Sequence, residues 1–434
     1  MPLPPSQVQV HRRRLDNGLR VNLHRDTSLP LVAINLWYHV GSKNERPGRT
    51  GFAHLFEHML FQGSLNVGTN DHFRYIQQVG GMVNGSTWYD RTNYYETLPS
   101  SNLGLGLWLE SDRMGFLLPA LTAEKLENQR SVVMNERRQR VDNRPYGLAH
   151  ERLHELLYPK EHPYHWPVIG YMEDIAAATL EDVRSFFHTY YAPNNAVLTL
   201  AGDFEVEAAF DQVARYFGSI PAVPLPPPPN PAFPVMSGEQ RQEIADDIQL
   251  PRIYLAFHAP PYGDRRWYAA DLLAIALAGG KSSPLYQDLV YRRQIAQDIS
   301  LSVLPLELSG MLYVVATCKP GVAPAELEAV LLDHLDRITV SAVPEEDLER
   351  ARHQVLSSFY RGLQTLERRA DLISEFTVYF DDPEGVNREA EQYLELGAED
   401  LSSYATEYWR PDRRAVVTVV PKNGRRNGEG AILP

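Results

Sequence analysis

The chain has 434 residues, more than one hydrophobic core usually serves, so two or more domains are expected. With 44% hydrophobic and 22% charged residues it reads as globular rather than disordered or fibrous. A formal charge of -13 argues against a general nucleic-acid binder, whose affinity rests on Lys and Arg neutralising phosphates.

The opening stretch MPLPPSQVQVHRRRLDNG lacks the apolar run of a signal peptide, and nothing approaches the roughly 18 apolar residues of a membrane span. A cytoplasmic protein with no membrane partner is the expectation, although a leader removed earlier would leave the same sequence. The first predicted strands are LRVNLHRD and LVAINLWYHV. Helical spacing follows near 51–62, then the strand NYYETLP, helices near 103–118, 123–142 and 146–157, and the strand AVLTLAG. From Pro221 to Pro234 the run PAVPLPPPPNPAFP cannot supply the amide donors of a helix or central strand and predicts an extended connector. Beyond it come IYLAFHAP, a helix near 266–278, MLYVVATCK, and helices near 324–336 and 345–364.

The two halves read as diverged copies. Tyr190 matches Tyr408, Pro193 matches Pro411 and Glu181 matches Glu399, all at an offset of 218 residues. A repeat of that length is a duplicated domain, not a solenoid unit. The predicted fold is α+β: two homologous domains, 1–220 and 239–434, each a mainly antiparallel sheet backed by helices and joined by a proline-rich linker at 221–238. The single cysteine, Cys318, allows neither an internal disulfide nor a thiolate metal cluster, so any metal site must draw on His and carboxylates.

Such a set stands in GFAHLFEHMLFQG. On a helix, His54 and His58 lie one turn apart on one face, a spacing that lets both imidazoles reach a single zinc ion. Glu57 sits near that face and is placed to take a proton from the water that a zinc ion activates. Catalytic zinc sites have three protein ligands, so a third must come from elsewhere; the helical run LTAEKLENQRSVVMNERRQR offers Glu136.

From LDNGLRVNLHRDTSLPLVAINLWYHVGSKNERPGRTGFAHLFEHMLFQGS onward, the sequence resembles the pitrilysin, insulysin and mitochondrial processing peptidase family along nearly all its length. That resemblance implies a zinc metalloendopeptidase with one Zn2+ per chain, held in the first domain by His54, His58 and Glu136 with Glu57 as general base. It makes GGMVNGSTWYDRTNYYETLP the active-site edge strand, with Asn84 contacting substrate and Gly85 and Ser86 as backbone contacts. Main-chain hydrogen bonding at such an edge recognises a peptide with little regard to its sequence.

Two departures from the family pattern carry information. Many active relatives have a glutamate seven positions before the third ligand, where this chain has Gln129, an amide that can hydrogen-bond but brings no charge. In the second half, relatives that complete the substrate cleft carry an arginine and, thirteen residues later, a tyrosine; here Pro284 and Gln297 stand at those places. Half-length members of the family enclose peptides between two chains. The implied partner is a homologous, non-catalytic chain supplying the missing arginine and tyrosine, with a homodimer as the alternative arrangement. Competing functions are a non-catalytic core subunit of a larger complex and a peptidase that trims leader sequences at one position. His150 and His154 form a second pattern, H-E-x-x-H, whose charged surroundings suit a solvated face. His162 and His165, between prolines, read as packing residues of a rigid loop.

Overall fold

A computed structural model describes residues 8–422; the first seven residues of the stretch read above for a leader lie outside it. Two mixed sheets, each with one parallel pair, are backed by helices, as the α+β reading requires. The first sheet is built from β1 (His11–Arg14), β2 (Arg20–Arg25), β3 (Leu31–Tyr38), β4 (Met82–Thr87), β5 (Thr92–Pro99) and β6 (Ala196–Gly202), in the order β1-β2-β6-β3-β5-β4. The second contains β7 (Gln240–Asp246), β8 (Arg252–Ala259), β9 (Ala296–Leu304), β10 (Gly310–Cys318) and β11 (Arg414–Pro421), in the order β7-β11-β8-β10-β9.

Leaving β1 aside, the two orders are one topology written twice. In each, the first strand runs parallel to the last and every other neighbour is antiparallel. The duplication extends to helix Leu180–Tyr190 and its counterpart Ala398–Tyr408, each followed by a proline-led turn into the final strand.

The compact units follow the sheets, not the order of the chain. One comprises 8–135, Trp166–Pro229 and Phe359–Glu389; the other comprises Glu136–His165, Asn230–Ser358 and 390–422. One crossing, after Pro229, lies within the proline-rich 221–238 segment, where no helix or strand forms. The others are exchanges that the division into 1–220 and 239–434 does not contain.

In the first unit lie α1 (Phe52–Met59), α2 (Asp71–Gln78), α3 (Leu103–Phe116) and nearly all of α4 (Ala123–Arg137). They pack with helices Leu180–Tyr190 and Val206–Phe217 on the sheet face formed by Leu23, Ile34, Leu36, Tyr94 and Leu198. Helix Leu366–Phe380, far along the chain, covers the other face. Its Leu366 and Ala370 meet Ala33 and Ala201, Ser374 donates to Thr199 at 2.8 Å, and Thr377 accepts from Asn22 at 2.8 Å. In the second unit α5 (Ala149–Leu157) does the reciprocal job on β7, β8 and β11, while Arg265–Ala278, Pro324–Val340 and Ala398–Tyr408 pack on the opposite face. No helix among the described residues is long and apolar enough to cross a membrane.

Candidate active site

A half-buried acid, Glu45, starts helix α1. Gly51 precedes it at φ 81°, where an added Cβ would lie 2.7 Å from the Ile169 carbonyl oxygen. The Glu45 carboxyl group accepts from the amides of Gly51 at 2.9 Å and Ala53 at 2.8 Å, filling donors that the first turn of a helix leaves open. Burial pushes that carboxyl well above the usual range, opposed by those amide bonds. Phe52, Ala53, Leu55, Phe56 and Met59 are buried, with the Phe56 ring 4.2 Å from that of Tyr191. The face left over presents His54, Glu57 and His58, all half-buried, and the two imidazole centroids are 4.8 Å apart.

Helix α4 brings the third group. Leu126, Gln129 and Val133 form its buried stripe, and Glu136 continues that stripe in the last turn, half-buried. The helix is continuous across the division between the units, so the residues that seat it in the first unit also carry Glu136. One ligand atom from each of His54, His58 and Glu136 lies within 4.8 Å of the other two. Glu136 also pairs with exposed Arg140, one turn on, at 2.6 Å. Gln129 is buried two turns before Glu136 on the same face.

Strand β4 fixes the orientation of Glu57. The Thr87 hydroxyl donates to Glu57 Oε2 at 2.6 Å. A Cβ on Gly85 would lie 3.2 Å from Glu57 Cγ and Oε1, so the glycine gives the carboxylate its room. Strand alternation places Gly85 and Thr87 on the α1 side and Asn84 and Ser86 on the other. Asn84 is exposed, and its Oδ1 accepts from the Gly85 amide at 2.9 Å. Ser86 donates to Asn93 at 2.6 Å and is held by Arg91, whose guanidinium donates to the Ser86 carbonyl at 2.9 Å. β4 ends the sheet, and among the described residues no further strand pairs with its outer edge.

The sequence reading missed Thr87, although a polar residue two positions after a glycine in an edge strand was the available signal. It also misjudged the H-E-x-x-H helix. Far from a solvated face, α5 buries Glu151 and His154: Glu151 pairs with Arg137 at 2.9 Å, and the His154 ring meets the Tyr164 carbonyl at 2.9 Å. His150 stands edge-on to Tyr254 and Tyr313. His162 is buried and accepts from the Tyr164 amide at 3.1 Å, while the His165 ring meets the Tyr158 carbonyl at 2.8 Å.

Residues 20–165 match the family model described as Insulinase (Peptidase family M16), and residues 177–355 match that described as Peptidase M16 inactive domain. The chain belongs to the M16 peptidase family. Within M16 it is 28% identical over 411 residues to the zinc protease PqqE of Helicobacter pylori, covering 94% of this chain and 92% of that protein. The crystal structure of a protease from Helicobacter pylori superposes with a TM-score of 0.89 at 28% identity, covering 95% of this chain and 99% of that one. A putative M16-like peptidase from Alicyclobacillus acidocaldarius shares the fold, with a TM-score of 0.84 at 22% identity over 97% of this chain and 99% of that one. These matches agree with the pitrilysin-type resemblance and make the chain a member of a protease family.

Proposed function

We propose that this chain is a zinc-dependent endopeptidase for unfolded peptides, with His54, His58 and Glu136 holding one zinc ion per chain and Glu57 acting as general base. The observation that carries the reading is the convergence of those three donor atoms on the helix face that also presents Glu57, itself oriented by Thr87. The donor set fits zinc, because two imidazoles and one carboxylate make the three protein ligands of a catalytic centre and leave a position open. A zinc ion bound there supplies Lewis-acid polarisation of a carbonyl and a lowered water pKa. Glu57 takes the proton from the attacking water and returns it to the leaving amine.

An extended peptide adds to the open edge of β4 through main-chain hydrogen bonds, with Asn84, Gly85 and Ser86 as its contacts. That mode requires a substrate segment free of its own secondary structure. Substrate enclosure is assigned to a second, homologous chain. Pro284 has no side-chain donor, and Gln297, exposed near the start of β9, has no phenol. A heterodimer whose non-catalytic member brings an arginine and a tyrosine meets both needs; a homodimer is the competing arrangement.

Metal analysis of the native chain and its Glu136→Gln variant, paired with cleavage of an unstructured peptide library, tests the reading. Loss of both zinc and cleavage is expected. A variant that keeps its zinc and cuts at the native rate sinks it.

A further inference from the structure

A second group with metal-ligand chemistry lies inside the first unit and is independent of the His54 centre. Helix α2 brings His72, strand β5 brings Glu96 and helix α3 brings Glu110, and one ligand atom from each lies within 4.8 Å of the others. All three side chains are buried, at 4%, 1% and 0% exposure. His72 Nε2 is 3.5 Å from Glu96 Oε2 and 3.9 Å from Glu110 Oε1.

Two of the three groups, His72 and Glu96, are left unsatisfied among the described residues. Among the described residues neither carboxylate oxygen of Glu96 has a hydrogen-bond partner, and neither does Nε2 of His72. Arg113 serves Glu110 instead, its Nε donating to Oε2 at 2.8 Å and its Nη2 to Oε1. The guanidinium stacks over Tyr94 at 4.1 Å, away from any bond to Glu96. The space around Glu96 is shaped for its carboxyl group: on Gly106 of α3, a Cβ would stand 2.3 Å from Glu96 Oε1. A buried acid and imidazole left in this state are costly unless something else occupies the gap between them.

Geometry separates the two candidate occupants. A proton on Glu96 would need a donor–acceptor distance of about 2.5–3.2 Å to reach His72, shorter than the separation here. An ion with metal–ligand bonds of about 2.0–2.1 Å and tetrahedral angles wants ligand atoms about 3.3 Å apart, close to the 3.5 Å between His72 and Glu96, while the Glu110 oxygen at 3.9 Å would move inward to join it. The Arg113 contact suits an ion as well, since ligating carboxylates are commonly oriented by a hydrogen bond from outside the coordination shell. Against the ion stands charge, because a dication with Arg113 would outweigh two carboxylates by one; a coordinated hydroxide would remove that excess.

We propose that His72, Glu96 and Glu110 form a second, structural site for a divalent transition ion, zinc in the first instance. Buried on every side, it fills as the chain folds and exchanges slowly.

The test uses the full chain refolded or expressed with zinc. An anomalous difference map at the zinc edge should show a peak about 2.0–2.1 Å from His72 Nε2. Brief EDTA treatment should remove a peak beside His54 well before this one. Glu96→Gln should lose one equivalent of zinc without losing the His54 peak. If the variant does not fold, the map of the unmodified chain still decides. No peak at His72 in zinc-saturated crystals, whether the gap holds water or only the Glu96 proton, overturns the proposal.

Discussion

The Thr87 hydroxyl and the Glu57 carboxylate are 2.6 Å apart, joining an edge strand to the helix that carries both histidines. A hydrogen bond to a charged acceptor contributes about 1.5–3 kcal/mol, and here it also sets where the carboxylate points. Thr87→Val keeps the shape and removes the donor. It should lower kcat roughly 10-fold to 100-fold with bound zinc unchanged, and Thr87→Ser should recover most of the loss. Steady-state cleavage of a fluorogenic peptide with parallel metal analysis checks this; a drop in zinc content would make Thr87 a structural residue of the centre instead.

Gly85 makes a separate demand on Glu57. Its added Cβ would sit 3.2 Å from Glu57 Cγ, Glu57 Oε1 and Phe61, tight enough that a neighbour must give by a few tenths of an ångström. Phe61 is packed among Phe73 and Tyr94, so Glu57 is the group that yields. Gly85→Ala should therefore lower kcat several-fold while Tm changes by no more than a degree or two. An unchanged kcat would show that Phe61 moves instead.

Arg140 and Glu136 form an ion pair at 2.6 Å, with Arg140 largely exposed. An exposed partner contributes little to stability, about 0–1 kcal/mol, but in the proposed centre it would compete with the zinc ion for the same carboxylate. Arg140→Ala should leave Tm nearly unchanged and tighten zinc binding by a few-fold in a chelator competition. Weaker binding would mean that the guanidinium orients Glu136 toward the ion.

The fold and site were legible in the sequence to unequal degrees. Strand and helix periodicity marked β2, β3, β5, β6 and α1, because each buries a continuous apolar face. The offset of 218 residues survived in the ends of the two halves, where a helix, a proline turn and a strand must keep one geometry. The exchange was not visible, although α5 itself was read as a helix near 146–157. Leu366–Phe380 meets the first sheet partly through Ser374, Thr377 and Asp371, which find Thr199, Asn22 and Trp37. Such polar matches join residues more than 150 positions apart and leave no local period to read. Glu151 misled for a related reason: a charged residue predicts a solvated face only until a buried guanidinium faces it.

That pair, Arg137 and Glu151 at 2.9 Å with both side chains buried, makes the second motif structural. Glu151→Gln removes the charge facing Arg137 and should destabilise the protein by about 3 kcal/mol, the lower end for breaking a buried pair, since Asp142 lies 3.6 Å from the same guanidinium. Zinc content and kcat should stay near those of the unmodified chain at temperatures where the variant is folded. Urea unfolding and peptide cleavage check the two halves of the statement; loss of zinc at unchanged stability would return α5 to the list of metal sites.

His154, on the same helix, ties stability to pH. Burial pushes its pKa down to about 4, against an ordinary value of 6.5, although the Tyr164 carbonyl beside its ring works the other way. Between those values the unfolded chain binds a proton that the folded chain refuses, so stability rises with pH through the window and is fully present above 6.5. Acidification from 6.5 toward 4 should remove up to roughly 3 kcal/mol on account of this one ring. His258 and His162, also lowered to about 4 by burial, act in the same direction. His154→Gln should flatten the dependence of unfolding free energy on pH within that window, at some cost in stability at neutral pH. A slope as steep as in the unmodified chain would show that His154 is already protonated in the fold.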